Sequence, residues 1–241
     1  MEGGATFRLL KSLKLRGNRF MPKLSQIELY LDGNYSKEDK KVFLFKSRCL
    51  CNFWEREISK LKFTSKYSRI NVYVTDGSTE IRVQPMKVVP FLEVVVHYPL
   101  EKISHLKDSQ FQQHYIRILE KALSAAISAM PIPLEQSLDI LQRFEANNYE
   151  NEWVQSEKVS AKKSIESKVI ATLSMHEFKL TQFVYLDCKL ADQLIIVKTL
   201  PRELLFNSYL GKLSISKGNI LEYKKGKSTL SQFDLTSAKF I

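Results

Sequence analysis

The chain has 241 residues, of which 44% are hydrophobic and 26% charged. That composition excludes a wholly disordered chain and leaves room for one large or two small buried cores. The net charge is +11, which brings nucleic acid or an acidic partner into consideration, so where the charge sits matters more than its sum. No apolar run approaches the roughly 18 residues that a membrane-spanning helix requires, so integral membrane association is not expected.

Residues 1–22 carry Arg8, Lys11, Lys14, Arg16 and Arg19 against the single acid Glu2. They also hold Gly3, Gly4 and Gly17, and read as a basic tail separate from the fold. Residues 23–150 are nearly balanced, with 18 basic and 16 acidic side chains, whereas residues 151–241 hold 14 basic and 9 acidic ones. The excess therefore lies at the two ends.

From residue 23 the pattern predicts an α+β domain extending to 146. Gln26 to Leu31 alternates apolar and polar side chains as a half-buried strand does, and Asp32-Gly33-Asn34 ends it in a turn. Ser36 and Asp39 have the spacing of a helix start, and the apolar spacing of Leu50, Phe53, Trp54, Ile58 and Leu61 predicts a helix from 37 to 62. Val42 to Phe45 alone would also suit a short strand. Ile70 to Val74 and Glu80 to Val83 flank Asp76-Gly77, which predicts a tight hairpin, and Val88 to Tyr98 is the strongest strand pattern.

Phe111, Tyr115, Ile118, Leu119, Ala122, Leu123, Ala126, Ile127 and Met130 trace one apolar stripe of a long helix, with Asp108 or Ser109 as its cap. Pro131 stops it, and a second helix from Pro133 turns Leu134, Leu138, Leu141 and Phe144 inward. The expected architecture is a four-stranded sheet covered by helices on one face.

Residues 147–164 have little apolar period beyond Trp153 and Val154 and read as a linker. A smaller, mainly-β module follows over 165–241. Its strands are expected at Lys168 to Leu173, Phe183 to Cys188, Leu194 to Val197, Lys212 to Ser216 and Ile220 to Tyr223, with a short helix opening at Leu200-Pro201.

Motifs that carry chemistry are scarce. No glycine-rich phosphate loop, nucleophile elbow or paired-histidine zinc motif occurs. Cys49 and Cys51, two apart on a helix, point to different faces and do not share a metal, and Cys188 is remote, so no metal or other cofactor is expected. Three cysteines without a framework suit a reducing, cytoplasmic setting. His97 closes the strongest strand and His114 begins the long helix. With Glu93, Glu101 or Asp108 nearby they are the weak catalytic candidates, as a His–carboxylate base.

Lys212, Lys217, Lys224, Lys225 and Lys227 are opposed only by Glu222, with Tyr223 among them. On a hairpin they would either contact phosphates beside a stacking tyrosine or keep a sheet edge from pairing with its neighbours. The segment has no arginine for bidentate contacts, which favours edge protection. Trp153, an aromatic residue in a polar stretch, either pins the linker or marks a contact site.

The absence of an assembled catalytic constellation points to a non-catalytic protein-binding role of adaptor, inhibitor or immunity type. A basic protein of this kind prefers an acidic partner surface. Nucleic-acid binding through the C-terminal lysines, or an enzyme with an unrecognised His/carboxylate site in a cleft between the modules, are the alternatives.

Overall fold

The computed structural model describes residues 22–77, 80–99, 106–160, 164–216 and 218–241. The basic tail apart from residue 22, and Lys217, lie outside them.

The first unit is built from β1 (Gln26–Leu31), α1 (Lys37–Lys60), β2 (Arg69–Thr75), β3 (Arg82–Pro85), β4 (Phe91–His97), α2 (Asp108–Ala126) and α3 (Leu134–Ala146). Its four strands lie in the order β1-β2-β4-β3. The long α1 crossover returns the chain parallel to β1, so β1 and β2 pair in parallel with Leu29 opposite Val72. β4 adds in parallel on the other side of β2. Alternation then places Ile27, Leu29, Ile70, Val72, Val74, Leu92, Val94 and Val96 on one buried face, where the three helices cover them.

The hairpin expected around Asp76-Gly77 does not form. Both edges of β2 are occupied by parallel neighbours, and β3 pairs antiparallel with β4 instead, Val83 facing Val94. Gly77 takes no positive φ, and Asp76 accepts a hydrogen bond from the Tyr35 hydroxyl at 2.8 Å.

α1 is helical through the ambiguous Val42 to Phe45. Ser36 accepts the Asp39 N–H at 3.0 Å, and Phe43, Leu50, Trp54 and Ile58 bury one stripe. α2 starts one residue earlier than its expected caps. Lys107 is its N-cap, and the Gln110 side chain accepts the Lys107 N–H at 2.9 Å. Leu119 and Leu123 are fully buried, but Ile127 is 47% exposed. The helix ends at Ala126, so the turn that follows carries Ile127 outward and brings Met130 back into the core.

The second unit contains β5 (Glu152–Val159), β6 (Ile165–Leu173), β7 (Phe178–Leu186), β8 (Lys189–Thr199), α4 (Glu203–Phe206), a 3-10 turn at Asn207–Tyr209, β9 (Lys212–Ile215), β10 (Ile220–Lys225), β11 (Ser228–Asp234) and β12 (Lys239–Phe240). Two antiparallel four-stranded sheets result, β5-β6-β7-β8 and β12-β11-β10-β9. Between them lie Val169, Ala171, Leu180, Phe206, Leu221, Tyr223 and Phe233. A buried Gln182 amide joins the sheets, donating to Ser167 on β6 and accepting from Ser231 on β11. Strand β5 occupies the stretch read from the sequence as a linker. It pairs with β6 from Glu152↔Thr172 to Val159↔Glu166, yet it buries no side chain fully, so no apolar alternation announces it.

Candidate functional site

The two units meet along α1. Gln26 and Asp32 donate their N–H groups to carbonyls of Ser68 and Val74 on the β2 side, so Ile27, of opposite parity, faces the outer edge of the sheet. At Ile27 that edge is satisfied by side chains. Glu55 accepts the Ile27 N–H at 2.9 Å, and Arg48 donates to the Ile27 carbonyl at 3.0 Å. Together they do for Ile27 what a neighbouring strand would do.

Arg48, 5% exposed, also pairs with Glu55 at 2.9 Å and donates through Nε to Glu203 of α4 at 2.8 Å. One guanidinium thus holds a carboxylate from each unit. Burial pushes the Glu55 carboxyl up to about 7, against the opposing pull of Arg48.

Further ties run alongside. The Arg56 guanidinium lies 4.3 Å over the Trp153 ring, and Asn151 donates to the Cys49 carbonyl at 2.8 Å. Trp153 is half-buried and packs on Phe178, with its Nε1–H donated to Gln155 at 3.1 Å. These contacts hold Trp153 between α1 and β7.

Beside Glu203 opens a groove shared by the two units. It consists of adjoining hollows of about 300 and 370 Å³ that have Leu44, Phe45 and Arg202 in common. One is completed by Glu28, Arg48, Glu203 and Leu204, the other by Tyr30, Leu31, Lys40 and Lys41. The Arg202 guanidinium stands 5.0 Å over the Phe45 ring, and the Lys41 ammonium 5.9 Å from it. At the lip Leu204 is 83% exposed, and its chain neighbours Leu200 and Leu205 are exposed too. Exposed leucines grouped this way on a short helix and its approach differ from the scattered apolar residues common on surfaces.

The residues singled out by sequence are distributed elsewhere. His114 bonds through Nδ1 to the Tyr98 hydroxyl at 2.7 Å, and burial lowers its pKa below the ordinary imidazole value. His97 sits opposite Thr75 at the end of β4, its Nδ1 buried with no hydrogen-bond partner among the described residues. Neither histidine lines the groove. Tyr223 is fully buried, accepting the Gly211 N–H at 2.6 Å and donating to the Tyr209 carbonyl at 3.0 Å, so its ring offers no face for stacking. Lys212 and Lys224 are direct cross-strand partners, and Lys224 is neutralised by Glu222 at 2.5 Å. Lys225 and Lys227 flank the Gly226 turn in solvent.

A cleft between the units does exist, about 300 Å³ in volume, but it is lined by Cys49, Asp108, Gln112 and His176 rather than by His114. His176 bonds Asp108 at 2.6 Å. Partial burial raises the Asp108 carboxyl, yet His176 and Lys46 outweigh it and hold the group below the usual carboxylate range. Burial pushes the Cys49 thiol up to about 12, which leaves no thiolate for nucleophilic attack at neutral pH. Cys51 is likewise buried, whereas Cys188 is exposed.

Sequence reading missed Lys40, Lys41, Phe45, Arg202 and Leu204. The available signal was the run Leu200-Pro201-Arg202-Glu203-Leu204-Leu205, three leucines within six residues at the opening of the expected short helix.

The chain matches no known protein family, no curated protein and no solved structure.

Proposed function

We propose that this protein is a non-catalytic binding protein, of adaptor, inhibitor or immunity type, that engages another protein through the groove between α1 and α4. The observation that carries this reading is the exposed leucine at the lip of the hollow, Leu204 at 83% exposure. Apolar side chains clustered at a concave site supply the desolvated centre that protein interfaces require. The part-buried Arg48–Glu203 link ties the two walls together, which favours binding by reducing what must be ordered. A cytoplasmic setting fits the free thiols of Cys49, Cys51 and Cys188. No helix among the described residues is long and apolar enough to cross a membrane.

A photo-crosslinking amino acid placed at Leu204, in the native host, tests the proposal. A discrete protein adduct is expected at 204 and not at the exposed control position Lys158. Adducts to nucleic acid alone, or equal labelling from both positions, would remove it.

A second reading, nucleic-acid binding, has one observation in its favour. Lys212 and Lys224 face each other across β9 and β10, an arrangement that disfavours the sheet unless an anion compensates. Glu222 already supplies that compensation, and the buried Tyr223 withdraws the stacking partner, so protein binding is the better supported of the two.

A further inference from the structure

We infer that the groove selects a partner segment in which an aliphatic or aromatic anchor lies beside an aspartate or glutamate, with Arg202 as the residue that reads the carboxylate. The inference rests on the protein-binding reading above and specifies its chemistry.

The charges around the groove lead to it. Two carboxylates line the walls, and both are engaged from within the protein. Glu203 is held by Arg48, and Glu28 by Arg69 at 3.3 Å and by the Tyr30 hydroxyl. The cations facing them are not so engaged. Arg202 and Lys40 have no carboxylate in ion-pair range among the described residues, and Lys41 has only the solvent-exposed Glu38 at 3.5 Å. In the adjacent pair Arg202-Glu203 the acid turns inward to the buried cluster and leaves its basic neighbour uncompensated at the lip.

Arg202 is also preorganised. Its guanidinium lies 5.0 Å over the Phe45 ring, which restrains it on one side, and its N–H groups have no hydrogen-bond partner among the described residues, an arrangement that suits a two-pronged bond to a carboxylate. The floor beneath, Leu31, Leu44 and Phe45, is apolar and takes the anchor. Leu204 carries apolar surface outward from the first hollow, and Leu200 and Leu205, its near neighbours in the chain, are exposed as well, which suits a polypeptide segment better than a small anion.

The test pans a library of random peptides of about twelve residues, displayed on phage, against the full chain. Enriched sequences are synthesised and titrated against the wild type, Arg202→Gln, Arg202→Lys and Leu204→Asp, all at exposed positions and checked by circular dichroism. The expected peptides pair Leu, Phe or Trp with Asp or Glu. Arg202→Gln is expected to weaken them about tenfold or more, with Arg202→Lys only partly restoring them. Replacing the peptide's acid by its amide should cost little further in the Arg202→Gln background, because the two changes remove one interaction. Peptides that depend on Leu204 but carry no acid, or that bind Arg202→Gln as well as the wild type, would overturn the inference and leave the protein-binding reading standing. A library that yields no peptide sensitive to Leu204→Asp would overturn both.

Discussion

Glu55 is the residue whose placement departs furthest from its chemistry in water. It is a carboxylate taken out of solvent to receive the Ile27 N–H, and its charge is opposed by Arg48, which Glu203 also claims. A buried pair of this kind is retained more readily for what it specifies than for net stability. Here it satisfies the β1 edge at Ile27 and ties α4 to α1. Because the folded-state carboxyl is raised to about 7 from an ordinary 4.5, the folded protein binds this proton more tightly than the unfolded chain. The group's contribution is therefore fully present below the unfolded value and is lost as pH rises toward 7, an effect of up to about 3 kcal/mol. Melting curves from pH 5 to pH 8 should show the wild type losing stability relative to Glu55→Gln, whose amide keeps a hydrogen-bonding oxygen without the charge. Parallel pH profiles for the two proteins would show that Glu55 ionises normally.

At the scale of elements, α1 and α2 were legible because each buries one stripe at helical spacing, and the parallel strands because they alternate. Two of the lapses have definite causes. Asp76-Gly77 looks like a hairpin turn locally, but α1 sets β2 parallel to β1 and β4 takes its remaining edge, a long-range outcome that turn chemistry does not encode. β5 was hidden because it borders its sheet without burying a side chain fully, and polar alternation on such a strand resembles a linker. The end of α2 supplies a sharp contrast. Leu123 is fully buried and Ile127 is 47% exposed, although both fit the same stripe on paper. Leu123→Ala should cost about 2–5 kcal/mol in denaturant unfolding, while Ile127→Ala should stay within about 0.5 kcal/mol. Equal losses would mean that the stripe continues past Ala126.

Across the whole molecule, the groove was illegible for a simple reason. Leu44 and Phe45 come from the middle of a helix in the first unit, Arg202 and Leu204 from a short segment of the second, and neither pair carries a motif. What joins them is the Arg48–Glu203 bond, between residues whose sequence separation conceals any pattern. The global charge was legible, but it pointed to the C-terminal lysines, and their surroundings argue against a ligand-reading role. Lys224 is neutralised by Glu222, Tyr223 is buried, and Lys225 and Lys227 project from a turn into water. Changing Lys212, Lys224, Lys225 and Lys227 together to Gln removes four charges, none of them from a residue that lines either hollow. If these lysines neutralised phosphates, the slope of log affinity against log salt would flatten by about 0.7–0.9 for each phosphate left without its lysine. The expectation is that titration of a labelled oligonucleotide at two salt concentrations gives slopes for the variant and wild type that agree within about one unit, because most of these charges are either internally compensated or dispersed in solvent. Solubility should decline, since lysines at edges and turns oppose sheet-to-sheet association. A flattening of about three units with the fold intact by circular dichroism would place phosphate recognition on β9 and β10 and move nucleic acid ahead of protein as the partner.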